Sequence, residues 1–244
     1  EKFYDPPNSA RPIAASYLGE DNAYLSGAAF LSDGSLLMVG NAYGPELKIA
    51  GAAVPVLGSD TTPPSFTMPR RKGKPDPPRS YDYLKGAPFL VHLASDYRAI
   101  QRAIRLPWGS GIFTDVVVDS EDRIYLAGIK GEHFESFSPL RPAQTDGLRG
   151  NGASFLVQLA PDWSGPAWGL EFSESAGYPP TMRYLGDGVV SFVGEHGYHL
   201  NAGGEILKAR EIGLSRGWSR GVDHASLNFS TGSERNTRTG WEPW

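Results

Sequence analysis

The sequence has no cysteine, no long run of apolar residues and no excess of basic over acidic residues, and its one basic run, RRKGK at 70–74, is interpreted as a solvated loop. Without cysteine, disulfides, thiolate metal sites and cysteine nucleophiles are excluded. No apolar run approaches the roughly 20 residues that a membrane-spanning helix needs, so we expect no transmembrane segment. The 23 basic and 27 acidic residues give a net charge of -4, and no basic face is dense enough to predict a nucleic-acid partner.

The chain also lacks an initial methionine and an apolar leader, because it begins at Glu1 with a polar, proline-rich stretch. Such a beginning fits a mature secreted protein whose leader has been removed, and the alternative is a trimmed chain. We expect the first, which predicts a secreted, periplasmic or cell-surface location.

Glycine (30 residues) and proline (20 residues) are plentiful, which is typical of many short strands joined by tight turns. The stretch 109–130, GSGIFTDVVVDSEDRIYLAGIK, predicts one such pair of strands. Residues 112–118 are mostly apolar and β-branched, and Asp and Ser side chains at 119–122 can bond their own backbone in a turn. Residues 124–127 form the return strand, which Gly128 ends.

This strand–turn–strand unit recurs, and a second pair of strands follows each copy. In that second pair FLVHLASD, from Phe89, is repeated as FLVQLAPD, from Phe155. The first pairs lie at 27–40, 112–127 and 181–193, the second pairs at 88–106, 154–172 and 198–212, and a fourth copy begins at 219–229. Each repeat therefore predicts four antiparallel strands that bury their faces against neighbouring repeats.

Tandem four-stranded units predict an all-β fold, a β-propeller built of four-stranded antiparallel blades, with a β-sandwich as the alternative. We expect an N-terminal arm and closing strand over 1–26, blades over 27–229, and a tail over 230–244. Two long insertions interrupt the blades, at 44–87 and 129–152. The ring is expected to be incomplete in this chain, so that another protein chain or a C-terminal continuation completes it. The alternative is that four blades close with a short, irregular last blade.

The segment TDVVVDSEDRIYLAG at 114–128, with the two FLV segments, resembles the bacterial β-propeller repeat proteins of the secreted or surface type (SBBP- or NHL-like blades). The resemblance covers about 27–213 and implies the propeller fold. It implies no particular activity, because propellers carry many functions.

Both insertions follow the second strand of a blade, so we expect them on one face, together with the short connection before Tyr198. Loops on a rigid scaffold often carry function. The candidate ligand-binding residues of this face are Glu132, His133, Glu135, Glu195, His196 and His199. Carboxylates and imidazoles together can bind a divalent cation or transfer protons, and the alternative is that they are polar loop residues with ordinary hydrogen bonds. No metal site and no cofactor is predicted.

Other residues of chemical interest have simpler interpretations. His92 lies in an apolar strand and is expected to be a structural histidine. The turn aspartates, Asp33, Asp119, Asp122, Asp162 and Asp187, are expected to cap turns, since no calcium-loop pattern contains them. Trp241, Pro243 and Trp244 are expected to contact a partner, because exposed tryptophans at a chain end are otherwise unexplained.

No catalytic motif identifies a reaction. The leading hypothesis is a binding or assembly module that contacts its partner through the insertion face and the C-terminal end. The alternative is a hydrolase or lyase that acts on polysaccharide, with its site on the insertion face.

Overall fold

The computed structural model describes residues 23–42, 48–49, 52–53, 86–97, 99–107, 109–131, 134, 140–143, 154–172, 179–194 and 196–211. These residues are all-β: they form strands, turns and connections without a helix, and so without any helix long and apolar enough to cross a membrane. The predicted closing strand at 13–19, the fourth copy at 219–229 and the tail lie outside the described residues, as does most of both insertions.

In chain order the strands are β1 (Ala23–Phe30), β2 (Leu36–Ala42), β3 (Lys48–Ile49), β4 (Ala52–Ala53), β5 (Ala87–Leu93), β6 (Ile100–Arg105), β7 (Gly111–Val118), β8 (Ile124–Lys130), β9 (Arg141–Pro142), β10 (Ser154–Leu159), β11 (Pro166–Phe172), β12 (Thr181–Gly186), β13 (Val189–Val193), β14 (His196–Leu200) and β15 (Ile206–Glu211).

Three antiparallel four-stranded arrangements follow one another along the chain, as the repeats predict. The first sheet has the order β1-β2-β5-β6, the second β7-β8-β10-β11, and the third β12-β13-β14-β15. Strand β9 adds to the second sheet by pairing in parallel with β11 at its outer edge. The small β3–β4 hairpin lies within the first insertion.

The register of the repeats is the same in all three sheets, so their positions can be compared one by one. Phe89 pairs with Gly40 in the first sheet, and Phe155 pairs with Gly128 in the second. The predicted superposition of the two FLV segments is therefore confirmed. In the third sheet the Gly194 amide bonds the His196 carbonyl, which makes His196 the equivalent of Phe155.

Alternation of side chains gives each sheet two distinct faces. The face that packs against the following sheet, here called the trailing face, carries Leu37 and Leu90 in the first sheet. The opposite, leading face packs against the preceding sheet and carries Phe155 and Val157 in the second. The trailing face of the second sheet packs on the leading face of the third in the same way, through an apolar layer that includes Phe192.

Strand β7 is where the sheets meet, since its backbone approaches β1, β2 and β12. Ser26 donates a hydrogen bond to the carbonyl of Phe113 (2.7 Å), and Thr114 donates one to the carbonyl of Pro180 (2.6 Å). Ser26 and Thr114 are equivalent residues, because each is the extra residue of a β-bulge. Ser26 follows the pair of Leu25 with Gly40, and Thr114 follows the equivalent pair of Phe113 with Gly128. One repeated hydroxyl thus links each of the first two sheets to the next.

Candidate functional site

The strand ends that flank the two insertions lie at one end of the sheets, here called the connection end. At this end the Gly109 amide bonds the Gly86 carbonyl (3.2 Å), and the Gly131 amide bonds the Ser110 carbonyl (2.9 Å). Gly86 lies near the end of the first insertion and Gly131 near the start of the second. Both insertions therefore join the sheets at the end where the sequence predicts the functional face.

Only part of the predicted ligand-binding set falls in the described residues. Glu132, His133, Glu135 and Glu195 lie outside them. His196 and His199 both lie in β14, three residues apart, so the alternation of the strand points their side chains to opposite faces. The structure therefore does not bring these two imidazoles together. Among the described residues no group of three His, Asp or Glu side chains could hold a metal ion.

His196 is buried on the leading face of the third sheet, next to an aromatic cluster. Its ring centroid lies 6.2 Å from that of Tyr198, and Phe172 stacks on Phe192 at 4.3 Å. Ser154 pairs with Phe172, and both side chains lie on the trailing face of the second sheet, which packs against this leading face. Its buried hydroxyl has no hydrogen-bond partner among the described residues.

The repeat shows how unusual this pair of positions is. In the junction between the first and second sheets, the positions equivalent to Ser154 and His196 are held by Pro88 and Phe155, which offer no side-chain hydrogen bond. In the junction between the second and third sheets they carry a hydroxyl and an imidazole. At the connection end, the junction between the second and third sheets is therefore the polar one. Its Ser154 and His196 side chains can donate and accept hydrogen bonds, and Ser154 directly follows the second insertion in the chain.

The opposite end, here called the turn end, is occupied by structural hydrogen bonds. The Asp33 carboxylate accepts from the Ser35 amide (2.8 Å), and that of Asp162 accepts from the Ser164 amide (3.0 Å). Hydrogen bonds from Ser35 lower the pKa of Asp33. The prediction that these aspartates cap turns is confirmed for Asp33, Asp119 and Asp162, whereas Asp122 accepts from Ser32 of the first sheet.

Asp119 organises a buried network at the turn end. It accepts hydrogen bonds from Arg123 (2.6 Å) and from the Tyr125 hydroxyl (2.9 Å), and Gln158 donates to the same hydroxyl. Burial opposes ionisation of Asp119, but the hydrogen bonds from Arg123 and the backbone outweigh it and lower the pKa. Burial and the bond to Asp119 raise the pKa of Tyr125 to about 12. The network joins β8 to β10 and is structural.

His92 is also structural, as predicted. Its Nε2 lies 2.7 Å from the buried Ser35 hydroxyl, and burial lowers the pKa of the imidazole. Its ring lies 6.1 Å from that of Trp163, and the guanidinium of Arg102 lies 4.9 Å from the same indole. Trp163, a residue of the second sheet, thus packs against a histidine and a cation of the first.

The structure reveals one surface that sequence reasoning missed. On the leading face of the first sheet Leu25 is 51% exposed, while the equivalent Phe113 of the second sheet is 2% exposed. Tyr97 is 42% exposed, while the equivalent Trp163 is 5% exposed. Phe30 is 63% exposed and contacts the Tyr97 ring edge-on at 6.5 Å. We call Leu25, Phe30 and Tyr97 together the exposed margin. This margin is apolar, and the residues of the second sheet that are equivalent to Leu25 and Tyr97 are buried by the first sheet.

Two tryptophans of the described residues, Trp163 and Trp168, pack at sheet junctions, and Trp168 donates a hydrogen bond to the Ala202 carbonyl (3.0 Å). Trp241, Pro243 and Trp244 lie outside the described residues. In comparisons with known proteins, the chain matches no protein-family model and no curated protein.

Proposed function

We propose that the protein is a β-propeller that acts as a secreted or envelope binding and assembly module. Three observations support the propeller. The sheets share one register, each packs its trailing face on the leading face of the next, and they meet at the first strand of the second sheet. Propeller blades are four-stranded sheets repeated around an axis in this manner.

The observation that carries the assembly function is the exposed margin of the first sheet. The equivalent residues of the second sheet are buried by the first sheet. The exposure of Leu25 and Tyr97 therefore indicates a face that another protein surface covers. Contiguous exposed apolar residues on a soluble protein mark interaction sites. Among the described residues β1 pairs only with β2, and the other edge of β1 is a further reason for a partner.

The connection end is the second contact surface of the proposal. Two insertions leave the sheets there, beside the buried Ser154 and His196. A partner held at this end and at Trp241, Pro243 and Trp244 would join the propeller to an extracellular or envelope assembly. A polysaccharide hydrolase or lyase would need acidic and histidine side chains to converge at this end, and four of the six candidates for that role lie outside the described residues.

Light scattering of the purified full chain over a wide range of concentration tests the proposal. We expect a molar mass above the 26.4 kDa of one chain, and a lower mass when residues 230–244 are removed or when 54–85 is replaced by a short polar turn. Each variant needs an unchanged thermal midpoint for the comparison to count. A single chain at every concentration, together with cleavage of polysaccharide by the same preparation, would refute assembly and favour the enzyme.

A further inference from the structure

The junction between the first and second sheets has a specific aromatic contact at the turn end. Trp163 has a positive φ of 57°, which directs its ring out of the turn between β10 and β11 and onto the first sheet. There it meets His92 and Arg102, which pair with each other across β5 and β6 on the trailing face. A cation over an indole face is attracted by the ring quadrupole. The contact therefore consists of an aromatic residue on one sheet and a histidine–cation pair on the other.

The junction between the second and third sheets lacks both halves of this contact. The residue equivalent to Trp163 is Gly204, and the cross-strand pair it faces is Gln158 and Trp168. Trp168 fills the space, since a side chain at Gly204 would overlap its ring. The aromatic residue and the histidine–cation pair are thus present together in one junction and absent together in the other.

The first and third sheets, which begin and end the described series, again carry the two parts of this contact. At the first sheet, Tyr97 has the same position as Trp163 and nearly the same φ, 58°. At the third sheet, His199 and Lys208 pair across β14 and β15 on the trailing face, in the places of His92 and Arg102. In both sheets a β-bulge follows the pair. The leading face of the first sheet and the trailing face of the third therefore carry the same two kinds of group that meet in the junction between the first and second sheets.

We infer that the exposed margin of the first sheet docks on the third sheet of a second copy of this chain, with Tyr97 against His199 and Lys208 of that copy. The inference rests on the proposed assembly function and names its partner. Closure of the ring within a single chain is the alternative that the test below distinguishes. The contact joins different surfaces, so two copies related by a twofold axis make it twice and close a ring. That ring would contain six of the described sheets, within the range of four to eight blades that propellers have.

Because the full chain has no cysteine, single introduced cysteines test the contact directly. Tyr97→Cys protein is mixed with Lys208→Cys protein and treated with a short thiol cross-linker, and we expect a cross-linked dimer on a denaturing gel. The control is Tyr97→Cys mixed with Ala209→Cys. Ala209 is also exposed but pairs with Tyr198, so its side chain points to the opposite face of the same strand. We expect at least a tenfold lower yield from the control.

Equal yields from the two mixtures, or no dimer from either, would overturn the inference. Cross-linking within one chain of a Tyr97→Cys/Lys208→Cys double variant would also overturn it, because the ring would then close in a single copy. A second measurement uses no cross-linker: Tyr97→Ser should lower the molar mass in solution, whereas Leu207→Ser, at an equally exposed residue of β15, should not. A mass that stays above one chain in Tyr97→Ser refutes this contact and leaves the proposed assembly function intact. A single-chain mass for the unaltered protein refutes both.

Discussion

The side-chain amide of Asn41 makes two hydrogen bonds with the main chain of Phe113. Its Nδ2 donates to the Phe113 carbonyl, and its Oδ1 accepts from the Phe113 amide, both at 2.8 Å. Asn41 is buried in β2, and Phe113 lies in β7, so this one side chain joins two sheets. Since Ser26 donates to the same carbonyl, that acceptor keeps one hydrogen bond when Asn41 is replaced, whereas both bonds of Asn41 are lost.

We therefore expect Asn41→Ala to lower the free energy of unfolding by about 2–3 kcal/mol, because two buried hydrogen bonds between the sheets are lost together. Asn201→Ala is the matched control. Asn201 accepts bonds from the Gly203 and Glu205 amides in a turn that water can reach, and we expect a loss of about 1 kcal/mol or less. Urea unfolding of both variants measures the difference. Equal losses in the two variants would show that the Asn41 hydrogen bonds between the sheets contribute no more to stability than the Asn201 hydrogen bonds within the turn.

Gly128 lies where the neighbouring strands of its own sheet leave no room for a side chain. A Cβ there would overlap the Ile112 carbonyl and the ring of Phe155. We expect Gly128→Ala to cost about 2–4 kcal/mol, because neither backbone nor a fully buried ring can move away cheaply. A Cβ at Gly165 would meet nothing within 4 Å, so Gly165→Ala should be near neutral. Similar thermal midpoints for the two variants would contradict the close approach of β7, β8 and β10.

Two neighbouring valines of β7 point to different junctions. Val116 is buried in the cluster between the first and second sheets, and Val117 is half-buried beside the cluster between the second and third. From sequence, Val117→Asp is expected to be severely destabilising; the half-burial moderates that expectation. We expect about 4 kcal/mol for Val116→Asp and about 2 kcal/mol for Val117→Asp, because an unpaired carboxylate costs more the less water reaches it. The reverse order in denaturant unfolding would show that the faces are assigned incorrectly.

The pKa of His92 predicts a pH dependence of stability. Burial lowers this pKa, so the folded protein prefers the neutral imidazole, while the unfolded chain takes up the proton near the ordinary value of about 6.5. The free energy of unfolding should therefore fall as pH drops below about 6.5 towards the lower native pKa. Gln stands at the equivalent position 158, and His92→Gln should abolish this part of the decline. An identical pH profile for the variant between pH 7 and 5 would contradict the assignment.

Much of the sheet architecture could be predicted from local patterns. The alternation and turn residues of 112–127 predict the β7–β8 hairpin, and the repeated FLV segments predict the common register of β5 and β10, which the structure confirms. The parallel addition of Arg141–Pro142 to β11 could not be predicted, because a two-residue pairing leaves no periodic pattern.

The candidate surfaces depend on neighbouring sheets, which a local pattern does not report. Leu25 and Phe113 are both apolar residues at the same place in their strands, yet only the second is covered. Likewise, Ser154 looks like an ordinary strand residue until the register shows that its equivalent is Pro88. The sequence predicts His196 and His199 on one candidate face, whereas the alternation of β14 directs their side chains to opposite faces of the sheet.

In the proposed propeller the three sheets are blades that converge at their first strands and diverge at their fourth. Spin-label distances measure this directly in the cysteine-free chain. One pair of labels, at Ala28 and Arg183, reports the separation of β1 and β12, and another, at Gln101 and Lys208, reports that of β6 and β15; all four positions are exposed. A blade of four strands is roughly 14 Å across. For the propeller arrangement we therefore expect the Gln101–Lys208 distance to exceed the Ala28–Arg183 distance by about 10 Å or more. Equal distances, as in a flat stack of sheets, would contradict it.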